Sequence, residues 1–192
     1  MEMQRCSWVG DDDIYQAYHD EVWGRPVYDS QELFAKLCLD GQQAGLSWIT
    51  ILKKQKTYEA AFANFDPSII AKFDEKKVES LLLDKGIVRN RLKVNSIIKN
   101  ARGYMSYTEN GDDFSQFLWS FVGGKPIVNT FRGMSEVPTQ TPESEAMSKA
   151  LKKLGFNFVG PTICYAFMQA VGMVNDHTTD CFCYNLEDSR ES

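Results

Sequence analysis

Leu154-Gly155-Phe156-Asn157-Phe158-Val159-Gly160-Pro161-Thr162 reads as the end of one helix, a tight hairpin and the start of another. Gly155 suits the left-handed position that closes a helix, since it has no Cβ to clash there. Gly160 can cap the second helix, with Pro161 at its first position, where a missing N–H costs nothing. The free N–H groups and positive dipole end of such a helix start attract an anion without any basic side chain. The same nine residues are also compatible with an ordinary connection in a helical bundle. On either reading they set helices at about 143–154 and 161–174.

Working outward, the rest of the chain keeps the helical period. Asp29 or Ser30 can cap a segment through Leu33, Phe34 and Leu37, with Glu32 completing a capping-box pattern from Asp29. A second segment runs from about Gln43, with Leu46, Ile49, Leu52, Ala60 and Phe62 in play. Asp66-Pro67 is a cap followed by a proline at the first helical position. Val78, Leu81 and Leu82 mark another helix ending near Gly86, and 88–108 carries Leu92, Ile97, Ile98, Ala101 and Tyr104 at three- and four-residue steps. Phe114 to Val122 is a short aromatic helix. Prolines at 126, 138 and 142 make 123–142 a loop. Few segments alternate like strands, so the fold class is all-α. In that setting the 154–162 layout resembles a helix-hairpin-helix element, which grips a DNA backbone phosphate without reading sequence.

Upstream lies Cys38-Leu39-Asp40-Gly41-Gln42-Gln43-Ala44-Gly45-Leu46-Ser47-Trp48, preceded by Tyr15-Gln16-Ala17-Tyr18-His19-Asp20. Asp40 and the two glutamines fall at a junction between helices, where polar side chains can converge on a cavity. Trp48, Tyr15 and Tyr18 could supply flat walls and hydroxyl donors. An aromatic slot with one carboxylate is what a flipped-out purine requires. Taken singly, Asp40 is equally a cap, the aromatics core, and the glutamines solvated.

The termini carry a second pattern. Cys6-x12-His19 and His177-x3-Cys181 use the only two histidines of the chain. Two thiols and two imidazoles suggest one tetrahedral site, with zinc as the fitting ion. Such a site would close a loop of more than 150 residues, which is worth about 4–5 kcal/mol in the chain-entropy treatment of a crosslink that long. The other reading makes His177 and Cys181 one turn of an apolar helix and Cys6 an ordinary buried thiol.

Composition bounds the rest. A chain of 192 residues with 43% hydrophobic and 24% charged residues is an ordinary globular protein of one domain. No apolar run approaches a membrane span, the start lacks a signal-peptide layout, and five cysteines form no secreted framework, so a cytoplasmic location is expected. The net charge of −5 is unevenly spread: residues 1–30 carry −5 and 161–192 carry −4, whereas 51–110 carry +5. Basic residues cluster at Lys53, Lys54 and Lys56, at Arg89, Arg91 and Lys93, and at Lys149, Lys152 and Lys153. A basic surface on an acidic protein can still bind phosphate, because screening keeps charge effects within about 8 Å. These clusters are equally compatible with solvated helix faces.

Together RCSWV at 5–9, YHDEVWGRP at 18–26, LDGQQAGLSWITILKK at 39–54, the 156–162 hairpin and NDH with Cys181 closely resemble the 3-methyladenine DNA glycosylase I family. The likeness runs in order from Cys6 to about Tyr184. It implies the helix-hairpin-helix DNA glycosylase fold in a single domain of two lobes, about 30–160 and 1–29 plus 161–192. It also implies a structural zinc site tying the two terminal segments, with ligands at Cys6, His19, His177 and Cys181, and leaves Cys183 out. Base-pocket residues fall on Tyr15, Tyr18, Asp40 and Trp48, with Trp8 a nearby candidate. Gly160, Thr162 and Phe158 are expected against the DNA backbone. The implied reaction is hydrolysis of the N-glycosidic bond of 3-methyladenine in double-stranded DNA by a monomer, leaving an abasic site.

Two departures stand out. Asp40 lies where the best-known members carry glutamate, so contact with the adenine edge needs a shifted base, a moved helix end or a bridging water. Val22 precedes Trp23 where some relatives are acidic, a peripheral change. The family also lacks the catalytic aspartate customary beyond the hairpin. Asp176 sits in roughly that region, beside His177, where a helix-end or ligand-supporting role is expected. Asp40 is then the residue on which selection and catalysis overlap, and no lysine is placed as an obvious Schiff-base nucleophile. A DNA-binding module with a dead pocket, or a hydrolase of free nucleobases or nucleosides, are the competing expectations.

Overall fold

The structure is a computed structural model and describes residues 3–185. Ten α-helices follow in order: α1 (Asp13–Glu21), α2 (Ser30–Gln42), α3 (Trp48–Leu52), α4 (Gln55–Ala61), α5 (Pro67–Ile70), α6 (Glu75–Leu81), α7 (Arg91–Thr108), α8 (Phe114–Trp119), α9 (Pro142–Lys153) and α10 (Pro161–Ala170). The fold is therefore mostly helical, as the periodicity indicates. It adds a short strand within the stretch that the sequence reading places in a loop. Ile127–Val128 (β1) pairs in parallel with Val174–Asn175 (β2). A two-residue strand is too short to show alternation, and it lies within the proline-rich stretch.

The caps form where the sequence puts them. The Asp29 carboxylate accepts from the Glu32 N–H at 2.9 Å, although Glu32 does not return the bond, so only half of the capping box exists. Asp66 caps α5 with Pro67 at its first position. The segment expected to run on from Gln43 is instead broken. Gly45 takes φ +80°, Ser47 starts α3, and α4 follows separately. Leu46 and Leu92, counted on apolar stripes, point outward at 41% and 72% exposure.

At the α9–α10 junction the turn closes as a full Schellman motif. The Gly155 N–H donates to the Lys152 carbonyl at 3.0 Å and the Phe156 N–H to the Leu151 carbonyl at 3.1 Å. Phe156 and Leu151 are both buried beneath it. Asn100 of α7 locks the turn by accepting from the Asn157 N–H at 2.8 Å, while its own amide donates to the Cys38 sulfur of α2. Two glycines let the helices approach this closely. A Cβ at Gly41 in α2 would lie 3.1 Å from both the Cβ and the carbonyl oxygen of Phe158. A Cβ at Gly103 in α7 would lie 2.5 Å from the Leu154 carbonyl oxygen and 2.9 Å from the Phe156 ring. Gly103→Ala is expected to cost about 2 kcal/mol by overpacking, a fall of roughly 4–8 °C in thermal midpoint for a chain this size. An unchanged melting curve would show that the turn yields freely.

The buried side chains form two clusters. The larger gathers residues from α2 through α10, centred on Leu33, Phe34, Ile97, Phe114, Phe156 and Phe167. The smaller joins the two ends of the chain through Cys6, Val9, Tyr18, Trp23, Ala170, Cys181 and Cys183. Trp48 packs against both, at their seam.

Candidate functional site

The four cysteine and histidine residues picked out by spacing come together. Cys6 Sγ is 3.6 Å from His177 Nδ1, and Cys181 Sγ is 3.4 Å from His177 Nδ1 and 3.5 Å from His19 Nε2. All four ligand atoms lie within 4.8 Å of one another, and all four residues are buried. A tetrahedral ion with bonds of about 2.0–2.3 Å would set its ligand atoms roughly 3.5 Å apart, so the donor set and spacing fit a metal. The outer nitrogens are held as well. His19 Nδ1 meets Asp20 Oδ1 at 2.8 Å and His177 Nε2 meets the Trp23 carbonyl at 3.2 Å. Each outer nitrogen therefore carries the proton, and the inner one presents a lone pair to the cluster. Asp20 is fixed in turn by Arg5, which donates to it at 2.9 Å from both Nε and Nη2. Cys183 supports rather than joins the set: its backbone N–H donates to the Cys181 sulfur at 3.4 Å. The remaining thiols, Cys38 and Cys164, are buried ones whose pKa values burial pushes up to about 12.

Beside the cluster a cavity of about 190 Å³ opens at the seam of the two cores. Trp8, Tyr15, Tyr18, Asp40 and Trp48 all line it, so the structure brings together every pocket residue expected from the sequence. Tyr15 and Tyr18 stack with ring centroids 6.4 Å apart, Tyr18 tilts against Trp48 at 5.7 Å, and Trp8 meets Tyr15 edge-on at 5.0 Å. The glutamines divide. Gln43 faces the cavity, whereas Gln42 is buried between α4 and α7, accepting from the Tyr58 hydroxyl and donating to the Lys93 carbonyl.

Three polar residues of the cavity lie outside the pocket set expected from the sequence. Asp176 follows β2 rather than ending a helix, and its carboxylate accepts from Tyr165, from Gln169 at 2.9 Å and from Asn129 at 2.7 Å. With three donors on it, the Asp176 carboxylate is held in place in the cavity wall. Gln169 lines the same wall. Lys36 is the third. Its ammonium donates to Asp40 Oδ1 at 2.9 Å and sits 3.2 Å from the centre of the Trp48 ring. The only available signal was its place one helical turn before Asp40.

Asp40 is 3% exposed. Burial raises its carboxyl above the usual range, offset only in part by Lys36, and burial likewise lowers the Lys36 ammonium. Burial, then the Asp40 charge and the neighbouring Tyr15, raise the Tyr18 phenol well above its ordinary value. Among the described residues, two buried side-chain polar atoms have no partner: Asp40 Oδ2, an acceptor, and Trp48 Nε1, a donor. Both belong to this cavity. A larger cleft of about 510 Å³ shares Lys36 with it but contains neither atom.

The basic clusters are partly spent on internal contacts. Lys93 is buried, donating to the Gln42 and Ala44 carbonyls at 2.8 and 2.6 Å. Arg91 pairs with Glu75 and Glu79, and Lys53 with Asp12. Lys149, Lys152 and Lys153 remain exposed on α9, next to the turn. At that turn Gly160 caps α10 without a side chain, Phe158 adopts φ +56°, and Thr162 is exposed.

Comparison with known proteins places the chain in a family. The profile of the family described as methyladenine glycosylase matches residues 8–184. DNA-3-methyladenine glycosylase 1 of Escherichia coli (strain K12) is 55% identical over 182 residues, spanning 95% of this chain and 97% of that protein. DNA-3-methyladenine glycosylase of Haemophilus influenzae is 53% identical over 179 residues, spanning 93% and 97%. A crystal structure of 3-methyladenine DNA glycosylase I matches with a TM-score of 0.93 at 55% identity, over 94% of this chain and all of that one. A point variant of such an enzyme in complex with 3-methyladenine matches at 0.91 and 39% identity, over 95% and 98%. The chain belongs to the methyladenine glycosylase family.

Proposed function

We propose that this protein is a DNA base-excision repair enzyme that hydrolyses the N-glycosidic bond of 3-methyladenine in alkylated double-stranded DNA. It releases the free base and leaves an abasic site. The observation that carries the site assignment is the unpartnered pair in the aromatic cavity, Asp40 Oδ2 and Trp48 Nε1. A buried acceptor and a buried donor without a protein partner each cost on the order of 1–3 kcal/mol, a cost that a ligand with complementary edges removes. A purine edge offers both an amine donor and ring-nitrogen acceptors.

On this reading the damaged base turns out of the duplex into the cavity, where Tyr15, Tyr18, Trp48 and Trp8 flank it and Asp40 accepts from its exocyclic amine. Alkylation at N3 makes the attached base a cation, so no strong general acid is needed. The C1′–N9 bond breaks with its electron pair going to the base, which leaves neutral. Water adds to the oxocarbenium-like sugar and releases one proton to the solvent, giving the neutral abasic sugar. The protein supplies position and electrostatics.

The α9–turn–α10 unit is read as a helix-hairpin-helix, with the backbone around Phe158, Gly160 and Thr162 holding a DNA phosphate and Lys149, Lys152 and Lys153 nearby. The cysteine–histidine cluster is read as a structural zinc site. Two thiols and two imidazoles suit that ion and fill its coordination, leaving no position for an activated water. It clasps the two parts of a terminal lobe, 1–29 and 161–192, of which residues 3–29 and 161–185 are described, on the helical lobe of about 30–160. Cavity and hairpin lie on one chain, so a monomer suffices.

Base release from methylated duplex DNA, with products separated by chromatography, tests the reading. Preferential release of 3-methyladenine without strand cleavage is expected. DNA binding without release, at enzyme well above DNA, would mean a dead pocket, and strand cleavage coupled to release would overturn the monofunctional mechanism.

A further inference from the structure

We propose that Lys36 is a built-in placeholder for the base: its ammonium fills the aromatic slot in the free enzyme and is expelled when a base enters. The inference rests on the pocket assignment above and extends it to a residue outside that set. The Lys36 ammonium lies 3.2 Å from the Trp48 ring centre and 5.5 Å from that of Tyr18, while donating to Asp40 at 2.9 Å. A base stacked on Trp48 puts its atoms about 3.5 Å from that ring. The ammonium and a base on that face therefore claim the same space. The ammonium also copies what the slot is built to receive: a positive charge facing a π surface, with an N–H pointed at a carboxylate.

The exit is provided. Lys36 lies on the wall shared by the slot and the neighbouring 510 Å³ cleft, whose rim carries Asp29, Glu32 and Glu59. A flexible four-carbon stem can carry the charge from one to the other without moving α2. Asp40 has no such freedom in the last turn of the helix. The exchange has a consequence for selection. An entering base must replace the charge and the hydrogen bond that Asp40 gives up, which favours a cationic base over a neutral one of the same shape.

Two measurements on the intact protein test this, using free 3-methyladenine as the probe. Binding by calorimetry is compared for the wild type, Lys36→Met, Asp40→Asn and Trp48→Ala. Removal of the competitor should tighten Lys36→Met binding at least tenfold, about 1.4 kcal/mol. Acylation of Lys36 in the wild type, followed by peptide mass mapping, should rise severalfold when the base is added, because the amine moves into the open cleft. Lys36 as protected with base as without it, or Lys36→Met binding no tighter than wild type, overturns the placeholder. Wild-type affinity in both Asp40→Asn and Trp48→Ala would instead move the base out of this cavity, and the placeholder falls with the pocket assignment.

Discussion

Replacing Cys181 by serine is expected to lower the thermal midpoint by about 10–20 °C while leaving the chemical step, measured below that midpoint, within a few fold of wild type. Cys181 contacts both His19 and His177 in the cluster, and Cys6 lies across from it. Serine is a far poorer soft ligand, so the clasp between Cys6 and the far end of the chain would open. Closing a loop of that size is worth about 4–5 kcal/mol. Each kcal/mol moves the midpoint of a chain this long by about 2–4 °C. The cluster borders the cavity through Trp8 and Trp23 but contributes no atom to its lining, so single-turnover release should survive wherever the protein stays folded. Metal analysis with melting curves, with and without a chelator, checks the account. Chelation should bring the wild type down towards the mutant and leave the mutant unmoved. A folded, metal-free Cys181→Ser protein with an unshifted midpoint would refute the zinc clasp.

The second large effect concerns Asp40→Asn, which should cut single-turnover release of 3-methyladenine about 10- to 150-fold. A hydrogen bond to a charged group is worth roughly 1.5–3 kcal/mol net, and the amide keeps the shape while losing the charge. Part of that loss is the wrong dipole at the buried Oδ2 position, which an amide can present as a donor. Stability should move little, because Lys36 is 15% exposed and can turn to the neighbouring cleft once its partner is neutral. Asp40→Glu is the informative companion. It restores the charge one methylene further into the slot and should retain release within an order of magnitude of wild type. Equal losses for Asn and Glu would mean that the exact reach of aspartate matters here rather than its charge; no loss in either would remove Asp40 from base recognition.

Much of this molecule is readable from residues whose chemistry admits few arrangements. Asp29, Asp66 and Gly155 announce helix ends because caps and left-handed closings require those side chains. The cysteine–histidine cluster is legible because only two histidines exist and each has a cysteine in range. What escaped was set by tertiary packing. Nothing in the local pattern at Gln43–Ser47 says that the helix will break and deliver Trp48 to the cavity. Lys93 looks like the third member of a basic surface cluster, yet its stem passes into the core to hold two carbonyls. Lys36 fails for the same reason: a lysine on an amphipathic helix usually reaches water, and here α1 and α3 bring aromatic rings to meet it. A polar residue's partner is a property of three dimensions.

Gly41 follows Asp40 in the last turn of α2 and lies flush against Phe158. On the proposed reading, adjacent residues of one helix thus touch the base-reading slot and the phosphate-holding turn. The spacing between grip and slot is then a fixed gauge rather than a hinged arm. Sliding along a duplex, such an enzyme would offer its slot to one nucleotide per grip, always at the same offset, and would sample lesions by stepping its whole body.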